Sequence, residues 1–247
     1  MQINEKKGVS YIHNIAMNII ITGASRGIGR ETALALSEDR NHIILITGRN
    51  KTELQKTASR AQHGNISIIV HDLYEKGFLD KSLLDKIKLI LPGVDILVNN
   101  AGSIISKPFT ELSDEEMRVM MEVNYFAPAN LIRTLVPAMN QNAHIINISS
   151  MGGFQGSAKF PGLSCYSASK AALATLTECL AVEFKDFGIF VNCLAPGSVQ
   201  TEMLNEAFPG YKAPVSAKEM GNFVAYFALN GHKYFNGKIL PVAMTSP

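Results

Sequence analysis

Residues 22 to 29 read TGASRGIG, and this glycine-rich turn decides the fold because of what stands on either side of it. An apolar run precedes the turn and a segment of helical period follows, so the turn joins a strand to a helix. Its glycines are spaced G-x-x-x-G-x-G. They allow a tight turn and a close approach of the backbone to a pyrophosphate, whose oxygens accept from free N–H groups at the helix N-terminus. An ordinary glycine-rich turn is the alternative, but the strand–helix context favours phosphate binding. The candidate residues are Gly23, Ser25, Arg26, Gly27, Ile28 and Gly29.

Short apolar runs alternate with helical segments along the rest of the chain. The runs carry Ile and Val at both alternating positions, which is typical of strands buried on both faces of a parallel sheet. This alternation predicts an α/β fold, a single-domain doubly wound Rossmann fold with a central parallel sheet of about seven strands and helices on both faces. Ligands of such sheets bind at the carboxyl ends of the strands. We predict strands at 17–22, 42–47, 66–70, 94–98, 144–149, 189–194 and 238–242, and helices at 28–39, 51–62, 76–90, 113–139, 163–186 and 217–229.

The composition narrows the classes of partner. The chain has 247 residues, 47% of them hydrophobic, and we assign 17–247 to one domain and 1–16 to an N-terminal extension without an assigned function. The net charge of +2 is not gathered into a basic cluster, so we expect small-molecule partners and neither nucleic acid nor a membrane surface. Three cysteines without C-x-x-C spacing predict no disulfide framework and no metal site, as in cytoplasmic proteins. No signal-peptide pattern is visible, and no apolar stretch reaches the roughly 18 residues that span a bilayer.

The end of the second predicted strand bears on the choice of dinucleotide. This strand ends Thr47-Gly48-Arg49-Asn50, without the acidic residue that usually bonds a ribose 2′-hydroxyl. A guanidinium instead offers a planar fork that matches a phosphate, and Arg26 in the glycine turn is expected to face the same place. We therefore assign Arg49 and Asn50 to the cofactor site and predict NADP(H) over NAD(H). The alternative is that both arginines are solvated surface charges.

The order of the motifs resembles that of the short-chain dehydrogenase/reductase family. TGASRGIG, HDL, NNAG, Asn124, NISS, YSASK and PGSVQT occur in the family's order and nearly its spacing, from about Met17 to Val242. The resemblance implies an oxidoreductase that transfers a hydride between a nicotinamide and a carbonyl or secondary alcohol. It also implies a homodimer or homotetramer.

The resemblance further assigns residues to the nucleotide. Asp72 would meet the adenine amino group and Leu73 would flank the ring, while Asn99, Ala101 and Gly102 would line the nucleotide beside the central strand.

The nicotinamide is assigned to the motif PGSVQT in the same way. Pro196 and Gly197 would turn beneath the ring, and the Val199 backbone and Thr201 would hold its carboxamide.

Two Tyr-x-x-x-Lys pairs occur in the chain. Reduction of a carbonyl needs a proton donor, and a free tyrosine, with a pKa of about 10, donates poorly. An ammonium one helical turn away is expected to lower that pKa, because residues i and i+4 share a helix face. Tyr166 and Lys170 lie in a segment of helix formers, whereas Tyr234 and Lys238 flank the turn signal Asn236-Gly237. We therefore assign catalysis to the first pair and chance to the second.

The family resemblance completes the catalytic set. A serine after the fifth strand would bond the substrate carbonyl, and Asn124 would hold a water that links Lys170 to solvent. Lys170, beside Tyr166, would also bond the nicotinamide ribose. The family position of the serine is the last in NISS, Ser150, with Ser149 on the other side of the strand.

Two regions are expected to determine substrate specificity. The span from Ser150 to Tyr166 is longer than the commonest family spacing, and Phe154 and Phe160 within it either contact substrate or pack on the rim. A short substrate lid is expected near 201–218, where three helix-breaking residues disfavour a full pair of helices.

Three other functions are alternatives to a general carbonyl reductase. A 3-oxoacyl-(acyl-carrier-protein) reductase is disfavoured because the segments before the fifth and sixth strands lack a basic surface for an acidic carrier. A catalytically silent NADP(H) sensor or scaffold would not require Asn124, Ser150, Tyr166 and Lys170. A nucleotide-sugar epimerase typically has a longer C-terminal region.

Overall fold

The computed structural model describes residues 16–72 and 81–244 of the chain. The strands are Asn18–Thr22 (β1), Ile43–Gly48 (β2), Ile66–Val70 (β3), Val94–Asn99 (β4), Met139–Ile148 (β5), Phe190–Pro196 (β6), Val199–Gln200 (β7), Val215–Ser216 (β8) and Ile239–Val242 (β9). The α-helices are Gly27–Leu36 (α1), Lys51–Ser59 (α2), Lys81–Ile90 (α3), Asp114–Met121 (α4), Ala127–Leu135 (α5), Ser164–Glu183 (α6), Glu202–Ala207 (α7) and Ala217–Asn230 (α8). A π-helical segment, Glu122–Phe126, joins α4 to α5. Short 3-10 turns occur at Phe109–Glu111, Val136–Ala138, Met151–Gly153, Lys185–Phe187 and Gly231–Lys233.

Seven strands form one parallel sheet in the order β3-β2-β1-β4-β5-β6-β9. After β3 the chain crosses back over β1 to place β4 on its other side, so the strand order reverses between β1 and β4. In such a sheet the reversal opens a crevice at the carboxyl ends of the two strands. Two hydrogen bonds join the ends of β1 and β4 at this crevice, one from Asn100 Nδ2 to the Thr22 carbonyl (3.0 Å) and one from Ala101 N to Thr22 Oγ1 (3.1 Å).

Both faces of the sheet are buried, as the apolar runs predict. Along β1, Ile19 and Ile21 belong to a core cluster that includes residues of α1 and α8, whereas Ile20 belongs to a second cluster that includes residues of α3, α5 and α6. The predicted doubly wound fold with seven parallel strands is confirmed.

Two element boundaries differ from the prediction. Strand β5 begins at Met139 instead of 144, because Met139 already pairs with Val94 of β4. The exposed polar residues 140–142 then lie in an irregularity of the pairing, which resumes between Ile96 and His144. The single helix predicted over 113–139 is divided by the π-helical segment, and Pro128, which has no N–H to bond the carbonyl four residues back, lies in the first turn of α5.

Some predicted features lie outside the described residues, namely most of the extension 1–16 and the first part of the helix predicted over 76–90. Among the described residues, no helix combines the length and the apolar character that a membrane span requires.

Candidate active site

A cleft of about 780 Å³ opens at the carboxyl ends of β1, β4, β5 and β6. It is lined by the glycine turn before α1, by the loop before α6 and by α7. Most predicted site residues line it: Gly23, Ser25, Arg26, Gly27, Ile28, Arg49, Asp72, Ala101, Gly102, Ser150, Tyr166, Lys170, Pro196, Gly197, Val199 and Thr201.

The glycine turn has the geometry that a pyrophosphate requires. Gly23 has a φ of 68°, and a Cβ built on it would lie 2.6 Å from the Cα of Ala101, so a side chain there would collide with the end of β4. The first turn of α1 carries no acidic residue, and the side chain of Arg26 at its N-cap makes no capping hydrogen bond to the N–H groups of that turn. Those N–H groups are therefore available to phosphate oxygens, and the turn fits a dinucleotide.

The two predicted phosphate-binding arginines stand in different surroundings. Arg49 is exposed at the end of β2, and within the described chain it takes part in no ion pair. Arg26 is paired with both carboxylate oxygens of Glu206 on α7, with 2.9 Å between Nη2 and Oε2. Asn50 caps α2 by accepting from the Glu53 N–H (3.1 Å) and is not part of the cleft wall.

The predicted adenine and nucleotide contacts are only partly brought together. Asp72 lines the cleft, while Leu73 lies outside the described residues. Asn99 is only 3% exposed and donates to Asn147 Oδ1 (2.8 Å) within the sheet, so its side chain does not line the cleft and its assignment to the nucleotide stays a prediction. The neighbouring Asn100 lines the cleft instead, because successive side chains of a strand point to opposite faces.

The segment after β6 contributes to the cleft as predicted by position. Pro196, Gly197 and Val199 line it, and the Thr201 hydroxyl accepts from the Leu204 N–H (3.2 Å) at the start of α7. A Cβ on Gly27 would lie 3.4 Å from the Thr201 methyl, so this segment lies directly against the glycine turn. The glycine turn and the segment after β6, both predicted to bind the cofactor, are therefore adjacent.

Tyr166 and Lys170 are both on α6, confirming the predicted helix. Lys170 is 4% exposed and donates from Nζ to the carbonyl of Ile148 (2.8 Å) at the end of β5. Burial lowers the pKa of Lys170 to about 8, while the nearby Cys193 acts in the opposite direction. The lysine therefore titrates closer to neutral pH than an exposed one.

The two serines after β5 have different surroundings. The Ser149 hydroxyl is buried and donates to the carbonyl of Lys170 (2.8 Å), which ties β5 to α6. Ser150 is only part-buried and its Oγ accepts from the Gly152 N–H (3.1 Å). A Cβ built on Gly152 would lie 3.5 Å from Ser150 Oγ and 3.8 Å from Cε1 of Tyr166, so the two side chains are neighbours. Of the two hydroxyls, that of Ser150 is the one beside the tyrosine.

The expected pKa of Tyr166 is wrong in direction. Burial raises the pKa of the phenol, and the hydroxyl of Ser150 lowers it by less. The reason is visible in the lysine, whose Nζ is turned to the backbone of Ile148. Sequence spacing shows that Tyr166 and Lys170 share a helix face, but it does not reveal this carbonyl as a competing partner.

Asn124 is fully buried in the π-helical segment between α4 and α5. Its amide accepts from the Ser103 N–H (2.8 Å) and donates to the Ser103 carbonyl (2.8 Å) and to Ser169 Oγ (2.9 Å). A Cβ built on Gly102 would lie 3.2 Å from Asn124 Oδ1 and 3.3 Å from Lys170 Nζ. Gly102 thus separates the two side chains, and the predicted water link between them stays a prediction.

The second Tyr-x-x-x-Lys pair lies in a different environment. Tyr234 is 78% exposed, and Gly237 has a φ of 68° in the turn that precedes β9. The Lys238 N–H bonds Asn192 Oδ1 (3.1 Å), away from the cleft-lining residues. The prediction that this pair spans a bend instead of a helix is confirmed.

The substrate side of the cleft is mainly apolar. Phe160 of the loop before α6 lines the cleft, whereas Phe154 does not. Met203, Leu204 and Phe208, in or directly after α7, also line it. The sequence pattern did not predict these three contacts, since they depend on how α7 folds back over the cleft.

Similarity to known proteins identifies the class. The chain matches the short chain dehydrogenase family over residues 17–212. It is 30% identical over 219 residues to an uncharacterized oxidoreductase of Staphylococcus aureus, with 88% of this chain and 92% of that protein covered.

Two solved structures extend the likeness to the fold. A dehydrogenase/reductase from Sinorhizobium meliloti has a TM-score of 0.82 at 30% identity, with 93% of this chain and 94% of that chain covered. The acetoin dehydrogenase of Salmonella typhimurium has a TM-score of 0.80 at 27% identity, with 93% and 95% covered. The chain belongs to the short-chain dehydrogenase/reductase family, a family of oxidoreductases that bind NAD(P).

Proposed function

We propose that this protein is an NADP(H)-dependent oxidoreductase that interconverts a carbonyl compound and a secondary alcohol. The observation that carries the proposal is the meeting of Ser150 and Tyr166 in the cleft, with the buried Lys170 one helical turn from the tyrosine. A protein that only binds a dinucleotide has no need of two neighbouring hydroxyls beside a buried lysine.

The proton is carried by Tyr166. Its raised pKa keeps the phenol protonated at neutral pH, so the hydroxyl can donate to the oxygen of a carbonyl as negative charge develops there. Ser150 donates a hydrogen bond to the same oxygen and stabilises its charge. The ammonium of Lys170 stabilises the phenolate that remains once Tyr166 has donated its proton, which solvent then replaces. Asn124 holds the backbone of Ser103 through two hydrogen bonds. In the alcohol-oxidising direction the proton moves the opposite way.

NADP(H), when bound, supplies or accepts the hydride. The first turn of α1 would hold its pyrophosphate, and Arg49 with Arg26 would bind its 2′-phosphate. Asp72, Ala101 and Gly102 would line the nucleotide; Pro196, Gly197, Val199 and Thr201 would hold the nicotinamide end.

The cleft favours an uncharged substrate. The charged side chains that line it come from the glycine turn, the ends of β2 and β3, Lys170 and Glu202, whereas the walls near Ser150 and Tyr166 are apolar. A buried apolar wall does not compensate the desolvation of an ionised substrate. The similarity to an acetoin dehydrogenase, whose named substrate is a small neutral hydroxyketone, agrees with this choice.

The test is turnover of NADPH and NADH with a panel of ketones, diketones and hydroxyketones, including acetoin and diacetyl. We expect oxidation of NADPH to exceed that of NADH at equal concentration, and neutral ketones to exceed oxoacids of the same length. Tight NADPH binding with no turnover of any carbonyl would contradict the proposal and favour a sensor.

A cytoplasmic location and a homodimer or homotetramer stay predictions, which fractionation and light scattering can check.

A further inference from the structure

Helix α7 is attached to the glycine turn region by two carboxylate–guanidinium pairs. Glu206 bonds Arg26 through both of its oxygens, and Glu202 lies 3.2 Å from Nη1 of Arg30 in α1. Arg26 is the residue directly before α1. The first pair therefore connects α7 to the turn that would hold a dinucleotide.

The Arg26–Glu206 pair is exposed enough to exchange partners. Its side chains are 40% and 63% exposed, so water replaces either partner at low cost. Both terminal nitrogens of the guanidinium are used by Glu206. A phosphate would need the same planar fork, since carboxylate and phosphate are both recognised by bidentate arginine bonds.

A 2′-phosphate is expected at this location. The end of β2 carries Arg49 in place of an acidic residue, and the side chain of Ser25 lies within 3.6 Å of a Cβ built on Gly48. The glycine turn and the end of β2 are thus adjacent. Of the two arginines there, one is in no ion pair within the described chain and the other is held by α7.

We propose that Glu206 is a specificity-determining residue that competes with the 2′-phosphate of NADP(H) for Arg26. This inference rests on the proposed NADP(H) preference. Binding of the 2′-phosphate releases α7 from Arg26, while Glu202 and Arg30 still hold the first turn of the helix. NAD(H), which has no 2′-phosphate, leaves the Arg26–Glu206 pair intact. Because Met203, Leu204 and Phe208 line the cleft, the identity of the cofactor then changes the substrate wall.

The coupling is reciprocal by thermodynamic necessity. A change that frees Arg26 from Glu206 strengthens binding of the 2′-phosphate, and the 2′-phosphate weakens the attachment of α7 by the same factor. Neither effect requires the reaction to occur, so binding alone can measure it.

The experiment compares adenosine 2′,5′-bisphosphate with adenosine 5′-monophosphate by calorimetric titration, because the two differ only in the 2′-phosphate. Glu206→Gln is expected to tighten the bisphosphate by about fivefold, the scale of an exposed ion pair, and to leave the monophosphate unchanged. Glu202→Gln is the matched control, since it removes the same charge from the same helix at Arg30. It is expected to leave the affinity ratio of the two nucleotides unaltered.

A double-mutant cycle separates direct competition from a general field effect. In an Arg26→Gln background, Glu206→Gln should no longer change the bisphosphate affinity. An equal gain in Glu202→Gln and Glu206→Gln, or a gain that survives without Arg26, would overturn the competition. A wild-type preference for the bisphosphate that Glu206→Gln does not change would also overturn it, with the cofactor proposal intact. Equal binding of both nucleotides by the wild type would overturn the NADP(H) preference itself and this inference with it.

Discussion

At the Tyr166 end of the cleft the polar groups are enclosed by protein, whereas at the Arg49 end the charges face solvent. Lys170 is 4% exposed and bonded to a backbone carbonyl, and burial has moved its pKa to about 8. Arg26 is 40% exposed, and its partner Glu206 is 63% exposed. Enclosure makes each hydrogen bond costly to lose, which suits a group that must stay in place for proton transfer. Exposure makes partners exchangeable, which suits a site that must admit and release a cofactor.

The largest effect is expected from Tyr166→Phe, which keeps the ring and removes only the hydroxyl. Turnover should fall by about 10³-fold or more, in the range of general acid catalysis by one group, while NADPH affinity stays within about twofold. Steady-state kinetics measures turnover, and fluorescence titration measures the affinity for NADPH. Tyr234→Phe, in the other Tyr-x-x-x-Lys pair, is the control and should leave both unchanged. Undiminished turnover in Tyr166→Phe would remove the tyrosine from the chemistry.

The next effect separates the two serines at the same end. Ser150→Ala should lower kcat by about 10²-fold, because a donor to the developing oxyanion is lost. Ser149→Ala instead removes a buried bond to the Lys170 carbonyl and should lower the free energy of unfolding by roughly 1 kcal/mol. Urea denaturation of both variants measures the free energy of unfolding. If Ser149→Ala caused the greater loss of kcat at unchanged stability, the roles assigned to the two serines would be reversed.

The smallest effect is expected at the exposed end. Arg49→Asp should shift the NADPH-to-NADH ratio of kcat/KM towards NADH by about tenfold, since it places an acid where a 2′-phosphate would bind. The shift should shrink as salt is raised, because exposed charges are screened. Lys51→Asp, two residues further along, changes the net charge equally and serves as control. A ratio that Arg49→Asp leaves unaltered would exclude Arg49 from the 2′-phosphate site.

The sequence predicted most of the fold because the strands are buried on both faces. Their Ile- and Val-rich runs leave little ambiguity about where they lie. The prediction missed the early start of β5, where Met139 pairs with Val94 ahead of an irregular polar stretch, and the π-helical segment around Asn124. The hydrophobic pattern indicates which side chains are buried, but it gives no information about hydrogen bonds that the backbone alone makes.

Within the candidate site, the sequence correctly predicted that the glycine turn, Ser150, Tyr166 and Lys170 would meet, since each follows or packs against a strand end. It chose Asn99 where Asn100 lines the cleft, because one residue along a strand reverses the face. It expected Tyr166 to be acidified by Lys170, whereas burial has the larger effect.

The order of strands and helices along the chain, the glycine turn and the spacing of Tyr166 and Lys170 on one helix can be read from the residues alone. These are local properties, set by the conformational freedom of glycine and by the periodicity of apolar residues. The partner of each charge, in contrast, depends on how the chain folds. The Lys170 ammonium meets the carbonyl of Ile148, and Arg26 meets Glu206 at a sequence separation of 180. Such pairs arise because the crossing of the chain brings distant segments to one edge of the sheet, and no local pattern records that meeting.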